Sequence, residues 1–178
     1  MGSETWARLA SRAIRVALAR KDVSYAELAQ ALAAEGVADS ERALVSRVSR
    51  GTAEFSLLLR ILQITGATPP PLWTSDISRD GSWEQRAAAV LATELAVQPW
   101  VTARELARRL SLIGVTISPR TVASHFSTGR FSLAFFLQCL TVLASRSADQ
   151  YVEFEDLRCA ALARTSAGAD GSPGITTN

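Results

Sequence analysis

The sequence predicts an all-α protein of two tandem four-helix units with an extra helix at the C-terminal end. Three observations predict it. Residues 23–62 laid over residues 101–140 at a constant shift of 78 give fourteen identities without a gap, among them Glu27/Glu105, Gly36/Gly114, Arg42/Arg120, Ser46/Ser124 and Gly51/Gly129. Apolar residues fall at helical spacing, as in Trp6, Leu9, Ala13, Val16 and Ala17. Serine or threonine caps and glycine stops punctuate both copies at matching places. The 178 residues therefore divide into a first unit at 1–66, a linker at 67–81, a second unit at 82–148 and a C-terminal segment at 149–178. Each unit is near the lower size limit for independent folding, so the two copies are expected to pack on each other.

The first helix runs from Thr5-Trp6 to about Arg20, and its counterpart opens at Ser82-Trp83 with Ser82 and Gln85 placed for a capping box. That counterpart ends before Pro99, because the residue preceding a proline is pushed out of the helical region. The second helix carries a serine cap with glutamate three residues on, Ser24 and Glu27, repeated as Thr102 and Glu105. Gly36 and Gly114 follow as stops. The third helix starts at Ser40 and at Ser118, with Pro119 at the first helical position, and stops at Gly51 and Gly129. The fourth covers about 54–65 and 132–145. It is apolar over most of its circumference, which predicts burial on several sides, as a plain core helix or between repeats or chains. Pro69-Pro70-Pro71 and Asp80-Gly81 mark the linker. Tyr151 to Arg164 reads as one more helix, and the Gly-, Ser- and Thr-rich tail from Thr165 is expected to be disordered.

Composition excludes several function classes. Hydrophobic residues are 48% and charged residues 20%, so the chain is neither disordered nor collagenous. Two cysteines, Cys139 and Cys159, make neither a disulfide framework nor a zinc site, and both read as buried small hydrophobes. His125, the one histidine, has Ser124 beside it, but adjacent helical residues do not face each other. No enzymatic activity, metal or cofactor is expected. No apolar run is long enough for a membrane span and no signal-peptide core is present, so a cytoplasmic protein is expected.

The formal net charge of +2 is an average over unequal parts. Residues 83–148 carry +4 and residues 149–178 carry −3, so the acidic end hides a basic second unit. Of the 19 basic residues only Lys21 is a lysine. Arginine suits bidentate contacts to phosphate and guanine, although an Arg- and Ala-rich, Lys-poor chain is also what a GC-rich genome writes.

A capped helix, a glycine, a second capped helix, a glycine and an apolar helix make a helix-turn-helix layout, in which the later helix of the pair enters the major groove. With Leu44 and Val48 pointing inward, the outward face of the third helix carries Arg42, Ala43, Ser46, Ser49 and Arg50, with Arg47 on the flank. The matching face in the second unit, opposite Val122 and Phe126, carries Arg120, Thr121, Ser124, Ser127 and Thr128, with His125 on the flank. The candidate DNA-contacting residues are Arg42, Ser46, Arg47, Arg50, Arg120, Thr121, Ser124, His125, Thr128 and Arg130.

Tyr25-Ala26-Glu27-Leu28-Ala29, then Gly36, then Ser49-Arg50-Gly51, resemble the lambda-repressor-like (XRE-type) helix-turn-helix. With Trp6 and Phe131-Ser132 added, the pattern is closer still to a family of small bacterial domains of unknown function. The resemblance covers roughly residues 5–66 and 82–145. It implies compact helical DNA-binding-like units and no enzymatic activity, and a DNA-binding protein acting as a transcriptional regulator is the expected function. Two departures stand out. The segment from Gly36 to Ser40 is longer than a tight repressor turn, and the second unit has Ser127-Thr128-Gly129 where the pattern has arginine before glycine.

Double-stranded DNA is the expected partner, read by the two units as a covalent pseudo-dimer or by chains paired again into a homodimer through the apolar fourth helices. The alternative is a protein-interaction module on the same scaffold, using Phe131, Phe135, Phe136, Trp73 and Trp100 as a partner surface.

Overall fold

The structure, a computed structural model, describes residues 2–169. The first unit comprises α1 (Gly2–Ala19), α2 (Tyr25–Ala34), α3 (Glu41–Ser49) and α4 (Phe55–Ile64). A 3-10 turn (Pro71–Trp73) and α5 (Thr74–Ser78) connect it to α6 (Trp83–Ala96), α7 (Ala103–Leu112), α8 (Pro119–Thr128) and α9 (Leu133–Val142). The last helix is α10 (Phe154–Ala169). The all-α class and the two tandem units are as the sequence predicts.

Local chemistry explains the helix starts. The Glu27 N–H donates to Ser24 Oγ at 3.2 Å and the Ser24 N–H donates to the Glu27 carboxylate at 2.8 Å, a complete capping box. Ser82 and Gln85 build the same device at α6. At α7 the box is only half made, against expectation. Thr102 accepts from the Glu105 N–H at 3.3 Å, but the Glu105 carboxylate turns to Arg108 and Arg109, which donate to it at 2.8 and 2.9 Å. Those two guanidinium groups hold the Glu105 carboxyl down to about 2.

The two units share one core, and the way they share it is reciprocal. The Phe55 N–H donates to the Phe131 carbonyl at 3.1 Å, and the Leu133 N–H donates to the Ala53 carbonyl at 2.9 Å. These bonds flank an antiparallel pairing of Glu54 with Ser132, residues 78 apart. Exchanging the units turns each bond into the other, so a local two-fold axis passes between Glu54 and Ser132. The larger packing obeys the same exchange. Helix α4 packs on α6, and α9 packs on α1, so each unit's fourth helix covers the other unit's first. Phe55 and Phe136 stack at the junction with centroids 3.7 Å apart, and Trp73 meets both edge-on at 5.5 and 5.3 Å. Each fully buried ring contributes about 1.5–3 kcal/mol through apolar area removed from water.

Several expectations are corrected here. The segment 67–81 is more than a linker: Trp73 is fully buried and α5 packs on α6. The apolar faces of α4 and α9 are consumed within the chain, so they leave no surface for a homodimer through the fourth helices. Cys139 is buried, which pushes its thiol up, but Cys159 is exposed on α10. Helix α10 extends past Thr165 to Ala169, and the rest of the expected tail, 170–178, lies outside the described residues. It packs on α1, where Arg12 pairs with Asp156. Among the described residues no helix is long and apolar enough to cross a membrane.

Candidate nucleic-acid interface

Burial of Leu44 and Val48 orients α3, and burial of Val122 orients α8. Ser40 accepts from the Ala43 N–H at 3.2 Å, and Ser118 accepts from the Thr121 N–H at 3.0 Å. Both helices end at a glycine with φ of +65°. A side chain at Gly51 would overlap the Ala7 backbone, and one at Gly129 would overlap the Glu84 carbonyl. The third helix of each unit thus sits against the backbone of its own first helix, and no residue but glycine fits the contact.

Of the predicted site residues, Arg42, Arg50, Arg120, Thr121, Ser124, Thr128 and Arg130 are exposed. Arg42, Arg50 and Arg120 enter no ion pair among the described residues. Arg42 and Arg120 stand at equivalent positions on the two helices. Arg130 lies close enough to Glu84 to help keep that carboxyl low, behind the larger effects of hydrogen bonds from the Glu84 backbone and the Ser82 side chain.

Other predicted residues are occupied. Arg47 is half-buried and donates through both terminal nitrogens to Asp39, at 3.0 and 2.7 Å, so its fork is already taken. Ser46 is half-buried. The Thr128 hydroxyl donates to the Ser124 carbonyl at 2.7 Å and the Ser127 hydroxyl to the same oxygen at 3.1 Å, which spends both protons on the helix itself. The Thr121 hydroxyl shares a hydrogen with Ser118 at 2.8 Å. His125 does not face outward. It is half-buried against Phe135 and Phe131, with centroids at 4.7 and 5.9 Å. Burial lowers its pKa, and a hydrogen bond with the Arg130 backbone opposes that shift.

Residues 6–69 and 83–148 each match the family of a domain of unknown function (DUF6471). The chain belongs to that family. No curated protein and no solved structure matches it. The two DUF6471 repeats differ in acidity around the third helix. The first has Asp39 before α3 and Glu41 in its first turn; the second has Ile117 and Pro119 there, and no acid in the first turn of α8. One exposed cation of the second DUF6471 repeat escaped the sequence reading. Arg104 lies in the first turn of α7, has no ion pair among the described residues, and replaces Ala26 of the first repeat. Its position at a helix N-terminus, where anions are favoured, was the available signal.

The ring surface expected for an interaction module is largely absent. Phe131, Phe135, Phe136 and Trp73 are buried, and only Trp100 is exposed, at 65%.

Proposed function

We propose that the chain binds duplex DNA through α3 and α8, each the later helix of a helix-turn-helix pair of the lambda-repressor-like type, and acts as a transcriptional regulator. The observation that carries this reading is the pair Arg42 and Arg120. Both are exposed, both enter no ion pair among the described residues, and both are held at equivalent places on short helices whose orientation the core determines. Folding alone gives no reason to keep an unpaired arginine at both places, whereas a guanine edge or a phosphate does. Arg50, Arg104 and Arg130 add positive charge around the same helices. A bacterial cytoplasm is the setting that this reading implies.

The test is binding of a labelled random duplex, followed by fluorescence anisotropy over a salt series. Affinity should fall steeply as salt rises, because each neutralised phosphate releases counterions. Arg42→Ala and Arg120→Ala should each weaken binding to a selected duplex by about 1–3 kcal/mol. Absence of any salt-dependent binding would sink the reading.

A further inference from the structure

We propose that one chain reads one DNA site as two unlike half-sites in opposite orientation, with the half-site under α8 dominant. This rests on the DNA reading above. The orientation follows from the exchange of hydrogen bonds about Glu54 and Ser132. Units stacked by translation would pair different faces and would call for half-sites in the same direction. Units related by a two-fold axis present their reading helices in opposite directions, and duplex DNA has two-fold axes of its own perpendicular to its length. The axis lies close to the reading helices in sequence, with Arg50 four residues before Glu54 and Arg130 two residues before Ser132.

The half-sites are unlike because the two helices present different groups. At equivalent positions α3 and α8 share Arg42/Arg120, Ser46/Ser124 and Ser49/Ser127. They differ at Glu41/Pro119, Ala43/Thr121, Val45/Ala123 and Arg50/Thr128. Glu41 sets an exposed negative charge in the first turn of α3, where α8 has Pro119, while the charge of Asp39 is met by Arg47. Base contacts therefore differ between the halves, and the α8 half binds more strongly. The reciprocal core leaves the complete two-fold arrangement inside one chain, so no second copy is required.

Selection from a random duplex pool with the full chain at fixed salt tests this, followed by native mass spectrometry on the selected duplex. The expected result is two boxes of different sequence in opposite orientation, with one chain per duplex. Arg120→Ala should erase preference in one box and weaken binding at least tenfold, roughly the loss of one bidentate contact. Arg42→Ala should blur the other box with a smaller loss. Arg120→Lys should keep the salt dependence while losing base preference, since lysine lacks the planar fork. Boxes in the same orientation, identical boxes, a single box or two chains per duplex would overturn this proposal and leave the DNA reading standing. No enrichment by folded protein would overturn both.

Discussion

The indole N–H of Trp73 donates to the buried carboxylate of Glu94 at 2.6 Å, and the other oxygen of that carboxylate accepts from the Ser145 hydroxyl at 2.7 Å. Glu94, 2% exposed, thereby ties the segment after the first unit, α6 and the segment after α9 to one point. Glu94→Leu leaves the buried Trp73 N–H without an acceptor and takes one partner from the half-buried Ser145 hydroxyl, which keeps Ser147 at 3.0 Å, and should cost about 1–3 kcal/mol. Glu94→Gln keeps an acceptor and should cost less. Denaturant midpoints check the order, and a Glu94→Leu/Trp73→Phe cycle should be non-additive by at least about 0.5 kcal/mol.

The glycine contacts give a graded comparison. Gly36, Gly51 and Gly129 all have positive φ, but nothing surrounds a side chain at Gly36, while Gly51 and Gly129 face backbone. Gly36→Ala should cost about 1–2 kcal/mol, from conformation alone. Gly51→Ala and Gly129→Ala add a collision with backbone that cannot move cheaply, and should cost clearly more. Equal costs at the three positions in urea unfolding would contradict the close approach of α3 to α1 and of α8 to α6.

A shared core predicts shared unfolding. Phe55→Ala, in the first unit, removes a ring that stacks on Phe136 of the second, and should cost about 3–5 kcal/mol. Thermal unfolding should stay a single transition whose midpoint falls. Two resolved transitions, with only one displaced, would show that the units melt separately.

His125 makes stability depend on pH. Its pKa is lower folded than unfolded, so its contribution is fully present above the unfolded value near 6.5 and is lost as pH falls below it. The melting temperature should therefore drop between pH 7.5 and pH 5.5. His125→Phe, which keeps an aromatic ring against Phe131 and Phe135 but cannot titrate, should shrink that drop. An unchanged drop would assign it to other groups.

On the DNA reading, Arg47→Ala should weaken duplex binding far less than Arg42→Ala, because Asp39 already occupies its fork. Asp39→Asn should strengthen binding and steepen its salt dependence. Anisotropy titrations on one selected duplex compare the three variants.

The repeat, the caps and the inward faces of α3 and α8 were legible in the sequence because each depends on residues within one turn or at one fixed shift. Ser24 needs only Glu27, and Leu44 needs only Val48. What escaped depends on distant partners. Trp73 follows three prolines and looks like linker until Glu94 is seen beside it. His125 lies on the flank of a helical wheel, where it reads as available, but Phe131 and Phe135 fold back over it from beyond Gly129. Arg47 looked available because its partner, Asp39, precedes the cap and lies off the helix. Glu105 has the spacing of a capping box, and Arg108 and Arg109 outcompete the backbone for it.

The reciprocal cover of the first helices has a consequence for biosynthesis. Helix α1 is made before all the helices that pack on it, and while α3 and α4 follow soon after, α9 and α10 begin only at Leu133 and Phe154. The side of α1 that meets α9 and α10 stays open until most of the described chain has been made, although α3 and α4 already cover its other side. Contacts so distant along the chain slow folding and prolong the time in which apolar surface can find the wrong neighbour. The first unit thus emerges with one side of its core still open, the side that the second unit later closes, a consequence of fusing both units into one polypeptide.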